Sequence, residues 1–362
     1  MYSLYFLRTT TGEVGSSIDA HALSWSIELN KTESFSVTVG KDKLRRTERL
    51  WWAPWSGGVL VTFTSPDGIE RPVVAGPITD WGAEDADTLV LTCEGIRAIF
   101  RGRTVWQTLA YRGLSYGAIA WELCKHGMDK PGGALPIYHA SPYEQATRER
   151  TYEGWNLANN QIDKRWEELS NVIAGPDIML RPEWANREKT RIKWGFQHGT
   201  HAWPFIAQDW TPDFDTTAPA SDVTEPRVIS TGAHLVSRVW YTGAGEGEGI
   251  VRVYAQDLQS VAAGAPFLED VLSDSDQPEP GPLQVKAEGA LKSRQNMLDQ
   301  VTFKVNVASS KTPLGSFFVG DICKVTLGEW VSVPAGTYDM RLIKMTGSLD
   351  PLVTLDFQEA SW

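Results

Sequence analysis

Residues 151–184, TYEGWNLANNQIDKRWEELSNVIAGPDIMLRPEW, constrain the fold most, because they carry the clearest helix signal in a chain otherwise patterned as strands. Ile162, Trp166, Leu169 and Ile173 recur at steps of four, three and four, which places them on one stripe of a helix. Gln161, Asp163, Lys164, Arg165, Glu167 and Glu168 fill the other faces. Asn159 or Asn160 can cap the start, since a short side-chain carbonyl accepts a bond from an orphan N–H. Gly175 can take the left-handed position that ends a helix, and Pro176 cannot continue one. The spacing predicts a central helix over 160–174, followed by a strand over 177–182 that closes against it.

Before and after this unit the pattern is β. Residues 23–29 (LSWSIEL) and 35–39 (FSVTV) alternate apolar and polar, as half-buried strands do. Residues 59–64 and 88–93 add further strands, and SPDG at 65–68 is a strong turn signal. The run RPVVAGPI at 71–78 reads as an edge or bulged strand because of its prolines. Short strands at this density indicate a small barrel or sandwich over residues 1–104. Residues 105–200 form an α+β segment, with a second helix over 115–125 whose Ile119 and Leu123 share a face. From 201 to 362 the chain is again strand-rich, with strands over 301–307, 322–327, 338–345 and 352–357 and a helix over 284–293. The segment DSDQPEPGP at 274–282 is too polar and proline-rich to pack, so it reads as an exposed loop. The fold class is therefore mostly β with an α+β insert.

Composition narrows the chemistry. No apolar run is long enough for a membrane-spanning helix, and the first residues lack the features of a secretory leader. A formal net charge of −11 argues against a nucleic-acid binder working through a basic surface. Cys93, Cys124 and Cys323 are far apart, so neither a disulfide framework nor a zinc site follows, and a reducing cytosol is the simplest place of folding. GAGEGEG at 243–249 lies between strands and carries glutamates that repel phosphate, so it is a hairpin tip. His198 and His201 sit in a Gly- and Pro-flanked segment with no third ligand nearby. Cys124 and His126 are neighbours on one helix and point apart, which leaves Cys124 a lone thiol. Glu153, Asp163, Glu167, Glu168, Asp177 and Glu183 lie near Trp155, Trp166 and Trp184, where a glycosidase would need two carboxylates; solvated helix-face carboxylates are the plainer reading. Catalytic, cofactor and metal sites are thus expected to be absent.

The 16 tryptophans are the unusual count. Such residues serve cores and subunit interfaces, and they also serve sugar binding. Trp51, Trp52 and Trp55 are the most pointed group, set in WWAPW between a basic segment and SGG. Three indoles in a loop-like setting are costly to expose. They are interface candidates first, core second and glycan platform third.

The order of elements resembles the baseplate-hub or tail-tip proteins of long-tailed phages, the Tal-like minor tail proteins, in the form carried by siphophages of actinobacteria. SVTV at 36–39, LVTF at 60–63, VAGPI at 74–78 and LVLTCEG at 89–95 carry the resemblance in the first half. TYEGWN at 151–156 with the following helix and GPD at 175–177 is its most specific part. FVGDIC at 318–323 and YDMR at 338–341 extend it toward the C-terminus. The resemblance implies two small β-barrel domains flanking the helix–strand layer, and a homotrimeric ring at the distal tail tip. It implies the distal tail protein, the tape measure protein and tip or fibre proteins as partners, DNA only in passage, and no membrane insertion. The place implied is the virion tail tip, after synthesis in the host cytoplasm. Some relatives carry a C-terminal lytic or fibre extension, and the chain's last residue, Trp362, directly follows a strand, so that seat of catalysis is not expected. The competing classes are a non-catalytic cell-wall glycan-binding module and a peptidoglycan or glycoside hydrolase.

Overall fold

The computed structural model describes residues 1–172, 174–275, 277–295, 298–309 and 311–360, with only the backbone of Leu298. Ile173, expected on the helical stripe, and Trp362 lie outside the described residues. The chain divides into two compact units, Met1–Arg227 with Val301–Trp362, and Val228–Gln300.

The first unit opens with β1 (Tyr2–Arg8), β2 (Val14–Ser17), β3 (Ala20–Glu28) and β4 (Ser34–Gly40). A short helix α1 (Lys41–Arg46) leads to β5 (Gly57–Thr64), β6 (Glu70–Glu84) and β7 (Thr88–Glu94). The α+β segment follows, with α2 (Ala98–Arg101), β8 (Leu109–Leu114), α3 (Tyr116–Met128), β9 (Ile137–His139), β10 (Gln145–Tyr152), α4 (Ile162–Ser170), β11 (Ile178–Trp184) and β12 (Ile192–His198). β13 (Asp213–Asp215) and β14 (Val223–Thr231) lead into the second unit, which holds β15 (Arg238–Thr242), β16 (Arg252–Gln256), α5 (Gln259–Ala262), β17 (Glu269–Ser273) and α6 (Pro280–Lys292). The chain returns through β18 (Leu298–Asn306), β19 (Ile322–Leu327), β20 (Gly336–Ser348) and β21 (Leu352–Glu359).

One sheet joins both ends of the chain, in the order β18-β21-β20-β3-β4-β7-β6-β5-β1-β2. The join is β20 against β3, where Met345 faces Ile27 and Gly347 faces Trp25. Among the described residues the strand pairings trace no closed barrel. β4 and β7 alternate buried and half-buried residues, as their patterns predict. β5 is buried along nearly its whole length, because the α+β segment covers the face that a surface sheet would leave wet. β6 is bulged, as its prolines suggest, but it is no edge. Residues 70–77 pair with β5 and residues 78–84 with β7. Each half thus ladders on one side, which is how Pro72 and Pro77 fit without an N–H.

The core beneath the α+β layer packs Leu7, Leu60 and Ala75 against Ile119 and Leu123 of α3, Ile162, Trp166 and Leu169 of α4, and Trp194 and Phe196 of β12. Indole N–H groups are spent inside it: Trp166 donates to the Ala120 carbonyl at 2.9 Å and Trp194 to that of Ala75 at 3.3 Å. At the C-terminal end Phe214, Phe303, Phe317 and Phe357 are all buried, with Phe303 and Phe357 stacked at 4.8 Å.

The central helix differs from its predicted outline at both ends. α4 is shorter than 160–174, and its N-cap is Gln161 with no side-chain cap bond. Asn160 is instead fully buried, donating to the carbonyls of Val105 and Glu153 and accepting from Arg165. The left-handed residue after the helix is Ala174, at φ 54°, rather than Gly175. Asp163 does not face solvent either; it pairs with Arg97, which is 2% exposed. In the second unit, α6 begins inside the stretch read as a loop, because Pro280 suits the first turn of a helix. There Ala287 and Leu291 of α6 cover Val239 and Ala255 on one face of the β16-β15-β17 sheet.

Glu33, close to Arg97 and Arg181, is buried. Burial pushes its carboxyl up to about 7, against the opposing pull of its own backbone N–H and the two arginines. Between the ordinary value and about 7 the native state holds the extra proton, so this group's stability contribution is lost as pH rises through that window. Glu33→Gln, which mimics the protonated form, should therefore gain relative to the wild type by up to about 3 kcal/mol on going from pH 5 to pH 8. Urea unfolding of both proteins at the two pH values measures this; an equal difference at both would show that Glu33 does not titrate in that range.

Candidate docking surface

The segment between β4 and β5 is built on one apolar anchor, Leu44 of α1, which is buried while the flanking Lys43, Arg45 and Arg46 stay outside the core. Thr47 closes the helix, its N–H donating to the Leu44 carbonyl at 3.1 Å and its hydroxyl to that of Lys43 at 2.8 Å. A 3-10 turn over Arg49–Trp51 follows. Residues 41–52 carry five basic and two acidic side chains in a chain of net charge −11, so the surface here is locally inverted in sign.

The three tryptophans of this segment have different environments. Trp51 is half-buried against its own chain: Arg8 lies 4.8 Å over its ring, and a Cβ on Gly15 would meet the ring at 2.7 Å. Trp52 is also half-buried, donating to the Thr47 carbonyl at 3.2 Å and packing on Trp81 at 5.2 Å. The Arg49 guanidinium covers both of those rings, at 5.7 and 5.1 Å. Trp55 is 50% exposed, and Leu50 of the same segment is exposed as well. Its backbone sits at φ 66°, where a bulky residue is a genuine outlier. The conformation is held by bonds from Trp55 N–H to the Ile78 carbonyl at 2.7 Å and from Gly57 N–H to that of Ala53 at 2.9 Å. The fold thus tolerates strain while displaying this one indole. Trp, Arg and an apolar residue on a fixed loop are what the centre of a protein–protein contact uses.

The other candidate groups have structural employment. His198 is buried and meets His139 Nε2 to Nε2 at 2.8 Å, while its Nδ1–H donates to the Gly199 carbonyl at 2.8 Å. Burial, then the neighbouring His198, pushes His139 down to about 4, so the pair is neutral near pH 7. His201 is held elsewhere, its backbone N–H donating to Glu144 at 2.7 Å. Among the described residues no group of three His, Cys, Asp or Glu side chains is placed to hold a metal. Cys93, Cys124 and Cys323 are free and buried, and burial raises each thiol well above its ordinary value, so they offer no thiolate nucleophile. Of the carboxylates flagged near tryptophans, Asp163 pairs with Arg97, Glu167 with Lys31, Glu168 with Arg165, Asp177 with Arg341 and Glu183 with Lys193. Glu153 accepts from Thr108. The GAGEGEG run forms a turn between antiparallel β15 and β16. No helix among the described residues is long and apolar enough to cross a membrane.

No protein-family model matches this chain, and no curated protein matches it by sequence. Its fold has clear counterparts among solved structures. It is similar to the tail protein from Neisseria meningitidis MC58, with a TM-score of 0.55 and 13% identity over 99% of this chain and 97% of that one. It is equally similar to the 43 kDa tail protein of prophage MuSo2 from Shewanella oneidensis, with a TM-score of 0.57 and 8% identity over 99% and 98% of the two chains. An Escherichia coli component of the type VI secretion system, described as structurally similar to bacteriophage T4 tail proteins, aligns with a TM-score of 0.51 and 10% identity over 95% of this chain and 74% of that one. The fold is that of phage tail proteins.

Trp55→Gly removes the side chain and the left-handed strain together, while adding chain entropy to the unfolded state, so its stability should stay within about 1 kcal/mol of the wild type. Trp52→Ala should cost about 2 kcal/mol or more, because it empties a packed site. Denaturant unfolding of the two variants separates a displayed indole from a structural one; comparable losses would make Trp55 structural as well.

Proposed function

We propose that the chain is a structural minor tail protein of a phage, forming a homotrimeric hub ring at the distal tail tip. The likeness over nearly the full length of two tail proteins supports this reading more than any other observation. In it, residues 1–104 and 201–362 supply two barrel-like domains around the helix–strand layer of 105–200. The ring joins the tail tube and the distal tail and tape measure proteins to tip or fibre proteins, in a siphophage infecting an actinobacterium. DNA passes through it at infection without being held, in keeping with the net charge of −11. The protein works in the virion, after synthesis in the host cytoplasm, and performs no catalysis.

Trp55, flanked by Trp51 and Trp52, is the proposed contact with a neighbouring tail subunit, because its exposure and backbone strain serve no purpose within its own loop. Light scattering with negative-stain imaging of the purified chain is expected to give three copies in a three-fold ring, and Trp55→Gly to shift that mass toward the monomer. A wild-type chain that stays monomeric at every concentration, and does not join isolated tails, would overturn the hub reading.

A further inference from the structure

The most exposed indoles among the described residues lie away from Trp55: Trp155 is 79% and Trp106 is 60% exposed. They sit on two loops of the α+β segment that are strapped together. Val105 N–H donates to the Asn160 carbonyl at 2.9 Å, Asn160 Nδ2 returns to Val105 and Glu153, and Gly154 N–H donates to the Thr108 hydroxyl at 3.0 Å. Asn160, the residue that does not cap α4, is the buried clip of this strap. The two rings are therefore presented on fixed backbone, which lowers the entropy lost when they are covered.

Trp106 lies 6.4 Å from the ring of His126, and His126 lines an open cavity of about 590 Å³. Glu122, Lys125 and His126 of α3 and Asp129, its C-cap, recur at i, i+3, i+4 and i+7 and supply the polar lining, which Tyr111 and Leu135 share. Glu122 pairs with Lys125 at 2.8 Å and accepts from the Tyr143 hydroxyl at 2.9 Å. Two carboxylates and one ammonium leave the lining close to neutral. Burial, and then Lys130, hold His126 below its ordinary value, so its ring is uncharged near pH 7.

We propose that this cavity, Trp106 beside it and Trp155 on the loop strapped to that of Trp106 form a saccharide-binding site. An uncharged pyranose has an apolar C–H face that packs on an indole and a rim of hydroxyls that planar carboxylate, imidazole and phenol groups bind. The near-zero charge of the lining gives no purchase to a phosphate or a polycation. The density of ionisable groups is the reverse of a protein–protein interface core, which is depleted in them. The size is that of a small-ligand site. The inference does not rest on the hub reading, since a glycan site on this surface is compatible with any assembly state.

The test is saturation-transfer NMR and calorimetry of the full chain with hexasaccharides of glucose, N-acetylglucosamine, galactose and mannose. At least one is expected to bind saturably, with transfer from indole protons, and Trp106→Ala and Trp155→Ala should each weaken it by about tenfold. Both variants should keep the wild-type mass in light scattering and the wild-type unfolding midpoint, since both side chains are mostly exposed. No binding by any of the four sugars, or binding that neither substitution changes, would overturn the site. Loss of mass or of tail incorporation in these variants, without sugar binding in the wild type, would make the two indoles a protein contact and would also overturn it.

Discussion

The buried carboxylate of Asp177 is the interaction on which the first unit depends. It is 4% exposed at its side chain and pairs with Arg341 of β20, while Asn30, after β3, donates to it at 3.2 Å. Asn30 also accepts from Ile178 N–H at 2.7 Å, and the Asp177 backbone bonds to Pro204 and Gly199. One residue thus ties the N-terminal strands, the strand after the central helix and the C-terminal strands. Around it lie Arg97 with Asp163, Arg181 with a bond to the Val319 carbonyl at 2.8 Å, and Asp321 bonded to Phe318 N–H. Arg97, Arg181 and Arg341 stand among four carboxylates; burial favours the neutral form of both Asp321 and Glu33, and it pushes Glu33 up to about 7. With Glu33 protonated the formal charges balance, which is the condition a buried network must meet to avoid a large desolvation cost.

This network explains why the central helix was only half legible. The stripe of Ile162, Trp166 and Leu169 follows from periodicity, and all three are buried. Asp163 and Asn160 read as solvent-facing and capping residues because local rules assign polar side chains to surfaces and helix ends. Their partners, Arg97, Val105 and Glu153, lie outside the helix, and no local pattern reveals such pairings. The same limit applies to β6, whose prolines signal a bulge but not a strand that changes partner halfway. It applies again to β20, whose pairing with β3 joins residues more than three hundred positions apart. Alternation identifies strands such as β4 and β7 because burial on one face is a local property. Register and neighbour are not.

The tryptophans show how an unusual count resolves once environments are known. Trp25, Trp166 and Trp194 are core residues, and Trp51, Trp52 and Trp81 stiffen one loop through ring contacts and two arginines. The WWAPW motif is conspicuous in the sequence, yet two of its three indoles face inward to a large extent. Trp106 stands singly in the sequence and attracts no notice, and Trp155 stands out there only through its neighbouring carboxylates and the TYEGWN run; the strap through Asn160 is what brings their loops together. A motif search weights adjacency along the chain, whereas a surface is assembled from separate loops.

Exposed indoles are kept in place here by buried polar groups rather than by their own packing. Trp55 is held by the Ile78 carbonyl in a backbone region that costs on the order of 1–3 kcal/mol, and Trp106 and Trp155 by a fully buried amide. In both places the scaffold bears the conformational cost before any partner arrives. A flexible loop carrying the same residues would have to order on contact, and its affinity would fall by that entropy. Surfaces that recur many times in one assembly, or meet a weak ligand through several copies, gain most from such rigidity, because each copy saves the same ordering cost. The strain in one loop and the strap in the other are thus two forms of the same preorganisation, a surface ring fixed before it is covered.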